Sequence, residues 1–357
     1  SSDGGGQTRA RLGVVHLHGR ALDRPLFQRP LCGRGIRPRT RCGRDLSNVC
    51  GCRKTHRHPF PRKLIMKTQT YTLEIITPCF CGGADPAKAE IRAPSIRGQL
   101  RWWFRTLGGS KSDEDTIFGS IAKTQATSSS VIIKVCNVQK KDWKVVEYNQ
   151  NDAQGYVWHY ASVSGTDGRG AKGPRWTQQG ALGVGTTLEL QIIRTRTLSN
   201  ELDKKFQSAL EAFLCFGTLG LRGSRGLGSF FCKEISSAMD KISLLTDRGF
   251  QVKTRKNPEI FTTSDAALKD WAAWLRFKLR KENKAASFSP LGGSEPRQAS
   301  AIKFRPIKLA DNQFTWIAFE APAERVLGNP SRRNSPLLTK YDFTGSSPQP
   351  PKNTRCR

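Results

Sequence analysis

The stretch Ile91–Arg105, IRAPSIRGQLRWWFR, decides how the rest of the chain is read. Pro94 and Ser95 mark a helix start with Ser95 as the expected N-cap, and Gly108-Gly109 supplies the stop. Between these signals Ile96, Leu100, Trp103 and Leu107 recur at one-turn spacings and define one helical face. Arg97, Arg101 and Arg105 recur every fourth residue on another. No acidic residue stands four positions from any of the three. A row of guanidinium groups without local counter-charges, set beside aromatics, predicts a face for a polyanion rather than a merely solvated surface. Trp103 belongs to the apolar seam. That leaves Trp102 or Phe104 to stack on a base or to pack on a neighbouring subunit.

Outward from this helix, Thr70–Thr77 (TYTLEIIT), Val131–Val138, Thr187–Thr195 and Phe230–Ile235 read as strands, rich in β-branched and aromatic residues. Asn200 is the expected cap of a second helix, whose buried face is Leu202, Phe206, Ala209, Leu210 and Phe213. The order β-α-β-(insertion)-β-α-β predicts an α+β class: a four-stranded antiparallel sheet backed by two helices, ferredoxin-like (RRM-like), over residues 66–236. The insertion, residues 143–184, is long, rich in Gly and Trp, and weakly periodic, as functional or mobile insertions are. Ser264–Lys281 is an amphipathic helix, and Ala301–Ile307 and Phe314–Phe319 are strands, so a second, smaller α+β domain is expected over 237–320. The tail, 321–357, carries six prolines and is expected to be loose.

The chain has 357 residues, with 59 Lys and Arg against 29 Asp and Glu, a formal charge of +30. Such an excess makes nucleic acid the leading partner class. The longest apolar run, Ala212–Leu221, is only ten residues, so no membrane span is expected. Residues 1–65 differ from the rest: 13 Arg but 2 Lys, three acids, and four of the five His. They have no sustained period and are expected to be a disordered basic leader. The first methionine is Met66, just before the first strand, which predicts that 1–65 is an upstream leader rather than native sequence. Cys42, Cys50, Cys52, His56 and His58 fit no common zinc spacing.

Gly217–Gly228, GTLGLRGSRGLG, holds Gly220, Gly223, Gly226 and Gly228 around Arg222 and Arg225. It lacks the Gly-Lys-Ser/Thr of a nucleotide loop, and its helix-to-strand order is the reverse of a dinucleotide fold. Glycine permits close backbone approach and arginine adds bidentate donors, so an RNA-backbone loop is expected over a mere flexible connection. Beyond the leader the only histidine is His159, in the insertion, so support for acid–base catalysis is thin. Asp113, Glu114 and Asp115 read as a solvated turn rather than a magnesium site. The cysteines form no C-x-x-C pair, which points to free thiols in a reducing cytoplasm. No cofactor and no metal are expected.

Ile91–Arg105 resembles the first-helix motif of the repeat-associated mysterious protein (RAMP) superfamily, in particular the first-subunit family of type III-B CRISPR (Cmr) effectors. Gly220–Phe230 is similar to that superfamily's glycine-rich loop, and the resemblance covers about residues 68–235. It implies two ferredoxin-like units, the second less closely matched, and a ribonucleoprotein with other Cmr subunits. It implies contact with guide and target RNA in antiviral defence, without catalysis. The contacts it implies are Arg92, Arg97, Arg101, Arg105, Arg222, Arg225 and the loop glycines. Six arginines on single-stranded RNA predict a slope of log K against log salt of about −4. The alternative within the superfamily is an endoribonuclease processing repeat RNA, with His159 as general base.

Overall fold

The computed structural model describes residues 67–85, 88–122, 125–143, 153–162, 180–255, 260–283, 289–294, 297–327 and 336–349. The expectations for residues 1–65, and for most of the insertion, lie outside these. The elements of the first half are β1 (Lys67–Ile75), β2 (Cys79–Phe80), α1 (Ala93–Thr106), α2 (Lys111–Phe118), β3 (Ser120–Ala122), β4 (Gln125–Thr127) and β5 (Val131–Gln139). They continue with α3 (Ala153–Ser162), β6 (Ala181–Leu182), β7 (Thr187–Arg194), α4 (Asn200–Phe216) and β8 (Phe230–Cys232). The second half holds α5 (Ser243–Thr246), β9 (Gln251–Thr254), α6 (Ser264–Ala273), β10 (Gly293–Ser294), β11 (Arg297–Gln298), β12 (Ile302–Ala310) and β13 (Gln313–Glu320).

The first sheet runs β5-β7-β1-β8, antiparallel throughout. Its pleat separates two chemistries, as a period of two requires. Leu73 and Ile75 of β1 and Leu188, Leu190 and Ile192 of β7 share one core with Ile96, Leu100 and Trp103 of α1 and Phe206, Leu210 and Phe213 of α4. The opposite face sets Thr68, Thr70 and Thr72 across from Ile193, Gln191 and Glu189. Where an RRM presents aromatics for bases on its central strands, β1 and β7 present threonines, Glu74 and Glu189. The two central strands therefore offer no aromatic platform on that face, where Phe231 of β8 lies across from Glu74.

The second sheet, β12-β13-β9, has three strands among the described residues, one fewer than a ferredoxin-like sheet. Phe304 and Trp316 on one face meet Trp271 of α6, with ring centroids 4.6 and 5.2 Å apart. The other face joins the first core, where Phe319 lies 5.5 Å from Trp103. α6 runs on through a wide π-helical turn, Trp274–Leu279, to Glu282.

Several local expectations change. α1 begins at Ala93 after Arg92, with no side-chain cap, so Ser95 lies inside its first turn. Pro94, which has no N–H to orphan, takes over the starting role. α4 is capped by Ser199, whose hydroxyl accepts from the Leu202 N–H, one residue before Asn200. Part of the expected loose tail is packed: Leu337, Leu338, Tyr341 and Phe343 are buried against the Trp271–Trp316 cluster. Arg255 holds that segment by donating to the Phe343 and Gly345 carbonyls, with Asp270 3.4 Å from its Nε. No described helix is long and apolar enough to cross a membrane.

Candidate nucleic-acid interface

α1 has three faces, and its seam is the one the pattern predicts. Ile96, Leu100, Trp103 and Leu107 are all buried, and Phe104 is buried with them against Phe118. Phe104 is thus unavailable to a base. Trp102 is partly exposed, and the Lys303 ammonium sits 3.3 Å from its ring centroid.

On one flank Arg97 and Arg101 face a cleft of about 570 Å³ that also takes in Lys111, Gly119, Ser120, Ile121, Thr127 and Ser128. The far wall is the β3–β4 hairpin, whose Ile121 is 92% exposed. Arg196 reaches the same wall and donates to the Ser128 hydroxyl at 2.5 Å. The cleft is therefore lined by cations, hydroxyls and one projecting apolar side chain, which suits a sugar–phosphate strand.

The ladder is not unpaired, which corrects the expectation drawn from its spacing. Glu114, on the next helix, is 1% exposed; its Oε1 lies 2.5 Å from Arg101 Nε and its Oε2 3.7 Å from Arg105 Nε. Nor are the three acids a solvated turn. They lie in α2, where Ser110 caps the helix, Asp113 pairs with Lys205 at 3.0 Å and Asp115 with Lys111 at 2.5 Å. Lys205 holds the Asp113 carboxyl below its ordinary range. Arg97 donates to the Phe118 carbonyl. Four cations, Arg97, Arg101, Arg105 and Lys111, thus face two carboxylates, Glu114 and Asp115, and a net positive charge remains on this flank.

The other flank of α1 carries Arg92, Ser95 and Gln99, and these line a separate cleft of about 370 Å³ with Gly220 and Leu221. The glycine loop therefore meets the helix at Arg92 and not at the ladder. The single cradle expected from the two basic clusters is divided between opposite sides of one helix.

The loop glycines serve the chain's own packing. Gly220 has φ +75°, and a Cβ there would stand 2.5 Å from the Phe80 carbonyl oxygen. A Cβ on Gly228, φ +66°, would land on the Leu219 carbonyl, and one on Gly226 on the Phe304 ring. Gly223 is closed off in the same way by Thr218. Only the lip at Gly220–Leu221 is exposed. Arg225 is 4% exposed and donates to the Leu291 carbonyl at 2.7 Å; burial pushes its pKa down to about 10. It is a structural residue here, not an accessible phosphate ligand. Arg222, φ +58°, donates to the Tyr156 and Val157 carbonyls of α3, so it ties the insertion's helix to the loop. His159 lies in α3, but its side chain is outside the described residues. Among the described residues no three His, Cys, Asp or Glu side chains gather as for a metal.

The RAMP superfamily model matches residues 72–230, the span from β1 through the glycine loop. Over these residues the chain is similar to the RAMP superfamily. The chain is similar to CRISPR system Cmr subunit Cmr1-1 of Pyrococcus furiosus, 28% identical over 195 residues, 50% of this chain and 49% of that protein. Cmr subunit Cmr1-2 of the same organism is 42% identical over 59 residues, 14% of this chain and 32% of that protein. The match thus spans about half the length, or less, of these relatives. Among solved structures, Cmr1 from Pyrococcus furiosus in its apo form is 19% identical with a TM-score of 0.44, over 71% of this chain and 88% of that one. A chain of the type III-B Cmr-beta complex bound to cognate target RNA is 12% identical with a TM-score of 0.42, over 72% and 94%.

Proposed function

We propose that the chain is a non-catalytic RNA-binding subunit of a type III-B CRISPR-Cas (Cmr) interference complex, working in the cytoplasm beside other Cmr subunits. Guide or target RNA lies as a single strand in the cleft between α1, α2 and the β3–β4 hairpin. The observation that carries this reading is the surplus of cations: Arg97, Arg101 and Lys111 line the cleft, and Arg105 stands 3.7 Å from Glu114, against Glu114 and Asp115. Likeness to two Cmr1 subunits supports the assembly. The first sheet, with α1 and α4 on one face, is read as a ferredoxin-like unit, and the three-stranded sheet with α6 as a reduced second one. Arg92 and the Gly220 lip form a secondary contact on the other flank.

The test is binding of labelled single-stranded RNA, followed by fluorescence anisotropy, with duplex RNA as competitor. The proposal expects sequence-tolerant binding that duplex competes for weakly, and RNA recovered intact after incubation without metal. Discrete products that vanish in His159→Ala would replace it with the endoribonuclease reading.

A further inference from the structure

Two thiols share the wall of the cleft on the Arg92 flank of α1. Cys79 opens β2 and is fully buried, while Cys81, just past the strand, is half-buried and lines the cleft with Glu90, Arg92 and Gly220. A spacing of two along extended chain puts both side chains on one face, with Phe80 on the other. The two thiols hydrogen-bond each other, and all five described cysteines are free. Sulfurs in contact across this spacing can be bridged with little backbone movement.

The pair is asymmetric. Cys79 is walled in: its Sγ lies 3.5 Å from the Leu219 carbonyl oxygen, and a Cβ on Gly220 would stand 3.2 Å from it. The hydrogen bond with Cys81, and then burial, push its pKa well up, so it keeps its proton. Cys81 shifts the other way. It is lowered first by the hydrogen bond from Cys79 and then by the Glu90 N–H and the Lys140 ammonium, against burial and the Glu90 carboxylate. Lys140 is fixed nearby by donating to the Ala89 carbonyl at 3.1 Å. A reachable thiolate backed by a buried thiol is the arrangement of an attacking and a resolving cysteine.

We propose that Cys79 and Cys81 form a reversible oxidation site whose substrate is a small hydroperoxide and whose product is the Cys79–Cys81 disulfide. The Cys81 thiolate attacks the terminal peroxide oxygen: an S–O bond forms, the O–O bond breaks, and the leaving oxygen takes a proton from water. The Cys79 sulfur then attacks the sulfur of the Cys81 sulfenic acid. The S–S bond forms as the S–O bond breaks, and the Cys79 proton leaves with the departing hydroxide as water. The pair thus gives two electrons to one peroxide, and a dithiol reductant restores it by exchange. The chemistry does not depend on RNA in this cleft.

Peptide mass decides it. The full chain is reduced, freed of reductant, treated briefly with hydrogen peroxide, unfolded in N-ethylmaleimide and digested with trypsin. Residues 68–88 form one peptide without internal Lys or Arg, and it holds these two cysteines and no other. It should be two hydrogens lighter than the dithiol form and carry no maleimide, and dithiothreitol before alkylation should restore both additions. Half-buried Cys136 should stay alkylated under the same treatment. In Cys79→Ala, Cys81 should stop at the sulfenic acid and take up dimedone. If that variant does not fold, the parent peptide alone carries the decision. Two maleimides on the peptide after peroxide overturn the proposal, as does oxidation of Cys136 as fast as Cys81, or a disulfide from either thiol to a third cysteine.

Discussion

Replacing Arg101 by alanine should cost folding stability before it costs RNA binding, and the structure sets the size of the loss. Arg101 Nε lies 2.5 Å from Glu114 Oε1, and the Glu114 side chain is only 2% exposed. Its other oxygen has no hydrogen bond, and Arg105 stands 3.7 Å from it. Removing Arg101 strands a buried carboxylate with one distant cation. Breaking a fully buried pair costs about 3–5 kcal/mol, and losing one charged hydrogen bond about 1.5–3. The Arg101 side chain is 29% exposed, so water reaches the vacated place and the expected loss falls near 2 kcal/mol. Urea denaturation followed by circular dichroism measures it. Glu114→Gln should recover about half of the loss in the double variant, because the uncompensated charge is gone. A variant as stable as the parent to within about 0.5 kcal/mol would refute the pairing. It would restore Arg101 as a free phosphate ligand.

Three further expectations follow from single contacts. Burial lowers the Lys303 amine to about 7, against an ordinary value near 10.4. The unfolded chain therefore binds more protons between these values, and stability rises with pH from about 7 to 10. Lys303→Met should flatten that rise and stabilise the protein at pH 6 by about 2 kcal/mol, a figure the Trp102 ring keeps from being larger. Gly228→Ala should cost about 3 kcal/mol or prevent folding, since a Cβ there meets the Leu219 carbonyl at positive φ. Gly98→Ala, on the exposed side of α1 with open space around it, should stabilise by about 0.5–1 kcal/mol in thermal unfolding.

The amphipathic seam of α1 was legible because a helix writes its buried face into the local sequence. Ile96, Leu100, Trp103 and Leu107 needed only their spacing. The four strands of the first sheet were legible for the same reason, to within a few residues at their ends. Glu114 was not. It meets Arg101 from thirteen positions away, across the turn between α1 and α2, where a rule about neighbours four apart has no reach. The glycine loop shows the same limit. Its composition was plain, but what fills the space beside each glycine, such as Phe80, Leu219 and Phe304, is decided by tertiary packing. β9, QVKT, was missed because four half-buried, mostly polar residues have no alternation; its pairing with Ile317–Glu320 makes it a strand. In the tail, the prolines drew attention away from Leu337, Leu338, Tyr341 and Phe343, whose side chains complete an aromatic cluster.

The central claim, that RNA follows the cationic flank of α1 beside the β3–β4 hairpin, is tested most directly by the salt dependence of RNA affinity. With Arg225 buried and Arg222 donating to α3 carbonyls, four arginines remain, and the slope of log K against log salt should be about −3 rather than the −4 of six free arginines. The double variant Arg97→Ala, Lys111→Ala should reduce that slope by about 1.4 while leaving thermal stability near the parent's. An unchanged slope in the double variant, with RNA still bound, would contradict the account.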